Sequence, residues 1–268
     1  MSCKKYQRVE SRHSRSARIL LLDIETMLME FYGFSPYNDY VSYKFMKKDW
    51  SISCWAAKWL FDPKILGEVV TPKEAIARKD DSILGGVWKL MDEADIVVWH
   101  NGNHFDQKKL NTRFLLAGYS PPSDYLSVDT KKVSKEVFGN SYNHLEELGR
   151  KFGIGVKSDM EAEDWVRCAE GNKEYLDKMF NYCKRDVAPL LEDVYLKLLP
   201  WMKSHPNLNL FTIHDDDVCP KCESTDLQWN GSTYKTPEGL WDGFRCGACG
   251  AIGRGKGKKH KIKAVQVK

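Results

Sequence analysis

The stretch ARILLLDIE, residues 17–25, is a continuous apolar run that ends in two acids. Such a run predicts a strand buried on both faces at the centre of a sheet. Because residues i and i+2 of a strand share a face, Asp23 and Glu25 point the same way, roughly 7 Å apart, while Ile24 points into the core. Two carboxylates on one face repel unless a cation joins them. By itself a D-x-E pair is common, and solvated acids at a strand end are its better explanation.

Apolar runs and turn residues divide the following sequence into strands and helices. Further strands are predicted over residues 51–60, 65–70, 95–100 and 126–130, of which 95–100 is expected to be buried. Helices are predicted over residues 82–94, 105–116 and 143–152, and a helical region over 161–201. We expect Asn143 to cap the third helix and Gly171-Asn172 to interrupt the helical region. The order of elements indicates an α/β domain with a mixed sheet flanked by helices.

Four of the eight cysteines form two C-x-x-C pairs, Cys219 with Cys222 and Cys246 with Cys249. Each pair places two thiolates on a tight turn, and two such turns complete a tetrahedron of sulfur. Unrelated thiols or two disulfides are the alternative, which a reducing compartment disfavours. The spacing predicts a small C-terminal zinc ribbon that holds one structural Zn²⁺ and packs one or two aromatic residues inside.

The basic residues concentrate at the two ends of the 268-residue chain, whose net charge is +4. Residues 1–18 carry +5 and residues 251–268 carry +7, so the body between them is acidic. An apolar fraction of 42% excludes collagen-like and wholly disordered chains. We expect a flexible basic arm (1–16), an α/β domain (17–204), a linker (205–217), the zinc ribbon (218–252) and a basic tail (253–268).

Two later segments each place an acid beside a predicted element. Asp106 stands in H-N-G-N-H-F-D after the 95–100 strand, where capping the next helix is its simplest role. Asp186 stands in Y-C-K-R-D-V, with Tyr182 one helical turn earlier on the same face, about 6 Å away. An exposed acid on an amphipathic helix is the alternative for Asp186. Four acids in this order at the ends of elements favour a shared site over four separate explanations.

D-I-E, N-G-N-H-F-D and Y-C-K-R-D resemble the three exonuclease motifs of the DEDD superfamily. The resemblance extends over roughly residues 17–200 and includes H-L-E-E-L-G-R-K-F-G-I between the second and third motifs. It implies a ribonuclease H-like fold and a 3′–5′ exonuclease of the tyrosine branch, because Tyr182 takes the place of a histidine. It also implies that four acids hold two divalent metals: Asp23, Glu25, Asp106 and Asp186.

The chemistry of these residues agrees with what the resemblance implies. Carboxylate oxygens without neighbouring histidine or cysteine ligands suit Mg²⁺ or Mn²⁺, so we expect two such ions. Two ions can hold the attacking and leaving oxygens of a phosphodiester displacement. Tyr182 is a poor base near neutral pH, because an unperturbed tyrosine has a pKa near 10. We therefore expect it to orient the attacking water.

The resemblance implies further residues that contact the substrate. The family contacts and splays the terminal bases just after the first motif, where this sequence has Thr26, Met27 and Leu28. Asn101 matches the family's asparagine five residues before the second-motif acid. Phe105 either stacks on a base or packs under the motif, and packing is favoured. The neighbouring His100 and His104 are expected to be structural, and Asp129 to cap a helix.

The sequence predicts a metal-dependent 3′–5′ exonuclease that acts on single-stranded nucleic-acid ends, DNA more than RNA. The ribbon and the basic tail are expected to grip nucleic acid, with docking of a replication or repair protein as the alternative for the ribbon. The alternative functions are a non-catalytic nucleic-acid-binding or scaffold protein and an endoribonuclease on hybrids. With no visible secretory signal or membrane span, we expect a cytoplasmic protein of a bacterium or a phage-infected host cell.

Overall fold

The structure, a computed structural model, describes residues 16–35, 41–155, 160–212, 214 and 216–259. It divides into two compact units, the domain Arg18–Tyr195 and a second unit that continues from Leu196. The predicted basic arm, apart from Ser16, and the predicted basic tail beyond Lys259 lie outside the described residues. Within the described ranges, no helix is both long and apolar enough to cross a membrane.

The Arg18–Tyr195 domain is built on a five-stranded mixed sheet with an added hairpin. Its strands are β1 (Ile19–Thr26), β2 (Glu30–Phe31), β3 (Met46–Lys48), β4 (Ile52–Trp59), β5 (Ile65–Val69), β6 (Ile96–Trp99) and β7 (Leu126–Asp129). The order in the sheet is β5-β4-β1-β6-β7, and β2 pairs with β3. β1 runs antiparallel to β4 and parallel to β6, which confirms the predicted mixed sheet.

Helices cover the sheet and follow most of the predicted ranges. They are α1 (Pro72–Ala77), α2 (Asp81–Asp92), α3 (Asp106–Leu116), α4 (Thr130–Val137), α5 (Leu145–Phe152), α6 (Ala162–Ala169), α7 (Lys173–Arg185) and α8 (Glu192–Leu198). A π-helical turn, Asp186–Leu191, joins α7 to α8, and short 3-10 turns lie at Tyr43–Phe45, Leu199–Trp201 and Leu208–Leu210. The sequence analysis does not predict α1 and α4, which are among the shorter helices.

Two predicted helix boundaries have different outcomes. The break at Gly171-Asn172 is confirmed, because Gly171 has a φ of +78° and the Asn172 side chain accepts the Glu174 N–H. The cap at Asn143 is wrong. α5 begins one residue later, after His144, and the Asn143 side chain instead accepts a hydrogen bond from the Ser134 hydroxyl at 2.6 Å.

The two faces of β1 are separated as the alternation predicts. Asp23 pairs with Ala56 of β4 and lies on the face that α7 covers, where the Cys183 thiol approaches it. Ile24 pairs with Trp55 on the opposite face and is 2% exposed. α2 packs on that second face so closely that a Cβ at Gly86 would lie 2.7 Å from the Trp55 ring. The carboxylates of β1 therefore face α7.

The second unit contains an antiparallel sheet around the cysteines. Its strands are β8 (Leu227–Gln228), β9 (Thr233–Thr236), β10 (Gly239–Cys246) and β11 (Ile252–Lys258), with β10 paired to each of the others. Trp241 and Phe244 are buried, as the prediction of one or two internal aromatics requires, whereas Trp229 is about half exposed. The segment before the cysteines is anchored in this unit, because the Leu208 N–H donates to the Pro220 carbonyl at 2.8 Å.

Candidate active site

Three carboxylates converge where β1 meets the end of α7. One oxygen from each of Asp23, Glu25 and Asp186 lies within 4.8 Å of the other two. Asp186 is buried, and the two acids of β1 are half-buried. Three hard oxygen donors at this separation fit a divalent ion of the Mg²⁺ type, which relieves the repulsion between like charges.

α7 brings Asp186 and Tyr182 to the cavity one helical turn apart. Asp186 begins the π-helical turn in which Ala188 leaves helical φ/ψ values (−144°, 125°). Such π-helical turns are frequent at functional sites. Between the two residues, Cys183 is buried and its thiol donates to the carbonyl and to Oδ2 of Asp23, both at 3.5 Å. Burial raises the pKa of Cys183, so the thiol stays protonated and can donate.

Asp106 reaches the same cavity but does not belong to the group of three. Its Oδ1 accepts the backbone N–H of Ile24 at 3.1 Å, which fixes the carboxylate against β1 between the two β1 acids. Burial is the main cause that raises the pKa of Asp106 to about 7. The helix-cap alternative does not describe Asp106, because it is the first residue of α3 and Phe105 occupies the N-cap position.

The loop between β6 and α3 is held by Asp129, which is 5% exposed. One oxygen of Asp129 accepts the backbone N–H of Asn101 at 2.9 Å and that of Lys131 at 3.0 Å. The carboxylate also accepts the Lys132 N–H, so the predicted role of Asp129 as a helix cap is confirmed for α4. Asn101 has a φ of +71°, a left-handed conformation that asparagine tolerates better than most residues.

His100 connects this loop to two neighbouring segments. Its Nδ1 lies 2.8 Å from Oγ1 of Thr130, and its Nε2 lies 2.9 Å from the carbonyl of Asn143. Burial lowers the pKa of His100 to about 4, so the ring is neutral at physiological pH. Both ring nitrogens are engaged by the protein, which agrees with the predicted structural role.

All five predicted catalytic residues line one open cavity of about 440 Å³: Asp23, Glu25, Asp106, Tyr182 and Asp186. Among the polar residues that line the cavity, sequence analysis misses Lys131, His144 and Glu146. Lys131 lies in the first turn of α4, and His144 and Glu146 lie at the start of α5. The H-L-E-E-L segment, which resembles the family's helix, is the one sequence signal that includes His144 and Glu146. Lys131 supplies a cationic ammonium group to a cavity whose lining includes five acids.

The predicted substrate-binding residues are divided between the cavity and other places. Asn101 and Phe105 line the cavity, and Phe105 is 37% exposed, so it is not packed in the core. Met27 is 2% exposed and belongs to the core, whereas Leu28 is 41% exposed. Thr26, Met27 and Leu28 are not among the described residues that line the cavity. Their substrate contacts stay predictions.

The two C-x-x-C pairs form turns with the same backbone geometry. The residue after the second cysteine of each pair, Glu223 or Gly250, has a positive φ, +56° and +79°. Each donates its N–H to the carbonyl of the first cysteine, Glu223 to Cys219 at 2.8 Å and Gly250 to Cys246 at 2.9 Å. This repeated geometry points both cysteines of each pair in one direction.

The four thiols, three of them buried and that of Cys222 half-buried, form one group whose spacing fits a metal. All four sulfurs lie within 4.8 Å of one another, and no disulfide joins Cys219, Cys222, Cys246 or Cys249. The Sγ atoms of Cys219 and Cys249 are 3.7 Å apart, and those of Cys222 and Cys246 are 3.6 Å apart. A tetrahedron with arms of about 2.3 Å, the length of a zinc–sulfur bond, has edges of about 3.8 Å. The donor set therefore fits a tetrahedral thiolate site.

Comparison with known proteins agrees with this fold. Residues 68–197 match the model of the RNase_H superfamily, a range that includes Asp106, Tyr182 and Asp186 but begins after β1. A family B DNA polymerase from the hyperthermophilic archaeon Pyrobaculum calidifontis is structurally similar over 75% of this chain, with a TM-score of 0.50 and 18% identity. The matched region is 26% of the polymerase chain, so this protein spans about a quarter of it. A search of curated protein sequences finds no match.

Proposed function

From the ribonuclease H-like fold of the Arg18–Tyr195 domain, we propose that this protein is a metal-dependent 3′–5′ exonuclease acting on single-stranded nucleic-acid ends, DNA more than RNA. The observation that carries the proposal is the convergence of Asp23, Glu25 and Asp186 in a cavity that Asp106 and Tyr182 also line. The 3′–5′ polarity rests on the resemblance of the three motifs to the DEDD superfamily.

Asp23, Glu25 and Asp186, with Asp106 beside them, are the residues that would hold two Mg²⁺ or Mn²⁺ ions. When bound, such ions stabilise the attacking and leaving oxygens of a phosphodiester displacement. The Ile24 N–H holds the Asp106 carboxylate in place, so a fourth carboxylate lies at the same wall independently of any bound ion. The protein therefore contributes a preformed anionic cavity.

The remaining lining residues position the substrate and the water. Tyr182 lines the cavity one helical turn before Asp186, and its hydroxyl orients the attacking water. Asn101 and Phe105 form a wall on which the terminal nucleotide rests. Lys131 supplies a positive charge for a phosphate oxygen in a cavity whose wall also carries five acids. Because the cavity is open to solvent, the end of a flexible strand can enter it.

The cysteine group of the second unit has a separate role. Four sulfur ligands leave no open position, so a Zn²⁺ ion held by Cys219, Cys222, Cys246 and Cys249 would be structural. We assign the ribbon and the basic tail to nucleic-acid binding, since Arg254, Lys256 and Lys259 lie at their junction. Docking of a replication or repair protein on the ribbon remains the alternative that experiment distinguishes.

The test is hydrolysis of 5′-labelled single-stranded DNA, single-stranded RNA and duplexes by the purified protein with Mg²⁺. We expect a ladder of products shortened progressively from the 3′ end, and none with EDTA. Asp23→Asn should remove the ladder, whereas the matched variant Asp177→Asn, which changes an exposed acid on α7, should leave it unchanged.

Two outcomes would contradict the proposal. Strand binding without any magnesium-dependent hydrolysis would favour the non-catalytic binding protein. Internal cleavage of the RNA strand of a hybrid, without shortening from an end, would favour the endoribonuclease.

A further inference from the structure

The β2–β3 hairpin displays several exposed aromatic rings, of which Phe34 makes an edge contact with Phe45, with the ring centroids 5.6 Å apart. Phe34 is 94% exposed, Tyr43 is 75% exposed and Tyr32 is 64% exposed. Exposed apolar groups in one patch mark interaction sites more often than isolated ones do. We call these three residues, with Lys44 and Lys47, the hairpin surface.

Contacts with the rest of the domain anchor the base of the hairpin. The exposed rings therefore belong to an anchored segment. Glu30 of β2 accepts hydrogen bonds from Lys48 at 3.0 Å and from Arg78 at 2.9 Å. The Arg78 side chain is buried and also donates to the carbonyls of Leu28 and Ala169. These contacts fix the base of the hairpin to the domain while its rings face solvent.

The hairpin continues the two strands that carry and flank the acids. β1 leads into β2 and β3 leads into β4, and the Met27 N–H donates to the Ser51 carbonyl at 2.8 Å between the two pairs. Seven residues of extended chain separate Glu25 from Tyr32, a reach of at most about 25 Å. Tyr32 therefore lies no farther than about 25 Å from Glu25 along the same ribbon.

A chain of contacts joins the cavity wall to the base of the hairpin. Phe105 lines the cavity, and Nζ of Lys109 lies 5.7 Å from its ring centroid. The same ammonium lies 3.6 Å from the ring of Trp50, two residues after the end of β3. Aromatic and cationic groups thus alternate from the cavity towards the hairpin, where Nζ of Lys47 lies 5.9 Å from the Tyr32 ring.

We propose that the hairpin surface binds the bases of a single-stranded nucleic acid whose end lies in the cavity, an inference that rests on the proposed function. Aromatic rings interleaved with lysines are the combination that single-strand binding uses, because every base has a stacking face and every linkage carries a negative charge. Stacking does not depend on sequence, so the surface would accept strands of any composition. An apolar protein partner would gain nothing from the lysines.

The test compares binding by full-length variants at positions where the side chain is exposed. One variant carries Tyr32→Leu, Phe34→Leu and Tyr43→Leu, which keep apolar bulk but remove the rings. Its matched control is Phe61→Leu, which removes a half-exposed ring at the other end of β4. Fluorescence anisotropy measures the affinity for a labelled strand of about 12 nucleotides. The buffer contains no divalent ions, so hydrolysis does not run, and enough salt to weaken binding by the basic tail.

We expect the triple variant to bind the strand at least tenfold more weakly than the unmodified protein and Phe61→Leu to bind normally. A strand carrying photoreactive 5-iodouracil should cross-link to the peptide that contains Tyr32 or Tyr43. Circular dichroism should show unchanged thermal unfolding, because the substituted side chains are exposed. An equal affinity of the triple variant and the unmodified protein would overturn the proposal, as would cross-links confined to the ribbon.

Affinity and hydrolysis together distinguish an error in the hairpin surface from an error in the proposed function. Normal affinity in the triple variant together with magnesium-dependent hydrolysis leaves the exonuclease and rejects the hairpin surface. Loss of affinity in the triple variant, with no hydrolysis by the unmodified protein, keeps the surface and rejects the exonuclease.

Discussion

Replacing Asp186 with asparagine should stabilise the metal-free protein and remove most of its response to magnesium. One oxygen from each of Asp23, Glu25 and Asp186 lies within 4.8 Å of the others. Two unit charges at that distance repel by about 0.9 kcal/mol at the dielectric constant of water and by about 3.5 kcal/mol at an effective value of 20. Asp186→Asn removes two of the three repulsive pairs, which amounts to about 2–7 kcal/mol.

The lower end of that range is the better expectation, because the two acids of β1 are half-buried and solvent screens them. We therefore expect the free energy of unfolding without divalent ions to rise by about 2 kcal/mol, which corresponds to a melting temperature higher by about 4–8 °C for a domain of this size. The asparagine amide keeps the shape of the carboxylate, so the packing around α7 should be preserved.

The assay is thermal unfolding at pH 8 and low salt, first with EDTA and then with increasing Mg²⁺. A ligand that binds only the folded protein stabilises it by about 2.7 kcal/mol at 100 times its dissociation constant. The unmodified protein should show such a rise and Asp186→Asn a much smaller one. Asp177→Asn, which removes an exposed ion pair with Lys173 on the same helix, should change stability by less than about 0.5 kcal/mol. If Asp186→Asn melts below the unmodified protein in EDTA while Asp177→Asn is unchanged, repulsion among the three carboxylates does not destabilise the metal-free protein.

Three other changes test separate parts of the structure. Tyr182→Phe keeps the ring and removes the hydroxyl, so hydrolysis should slow while the magnesium-dependent rise in melting temperature persists; an unchanged rate would reduce Tyr182 to a packing role. Cys222→Ser should lower the zinc content measured by mass spectrometry and leave the hydrolysis of short strands intact, and retention of a full equivalent of zinc would count against the four-thiolate site. His100 has a pKa of about 4 in the folded protein and 6.5 as its ordinary value, so the stability that its neutral form provides is complete above pH 6.5 and is lost as the pH falls towards 4. The free energy of unfolding, measured with urea between pH 7 and pH 4, should fall by up to about 3 kcal/mol less in His100→Gln than in the unmodified protein. The same pH dependence in both proteins would contradict the lowered pKa of His100.

Features that lie within one strand, one helical turn or one short motif are predictable from the sequence alone. The apolar run before Asp23 fixes a buried strand, and the two-residue period of a strand places Glu25 beside Asp23. The helical period places Tyr182 next to Asp186, and the spacing within each C-x-x-C pair places two sulfurs on one turn. These relations follow from backbone geometry that is the same in every protein, so they are predictable without knowledge of the rest of the fold.

Which side chains from different elements meet in one site depends on how those elements pack. Packing of α7 on the sheet brings Asp186 to the acids of β1, whereas Asp106 is fixed through the Ile24 N–H and stays outside their group. It also places the Met27 side chain in the core and brings the unpredicted Lys131 into the cavity. A carboxylate bonds with whichever donor or ion lies nearest, and that distance is set by the packing of elements far apart in sequence, which no local pattern contains.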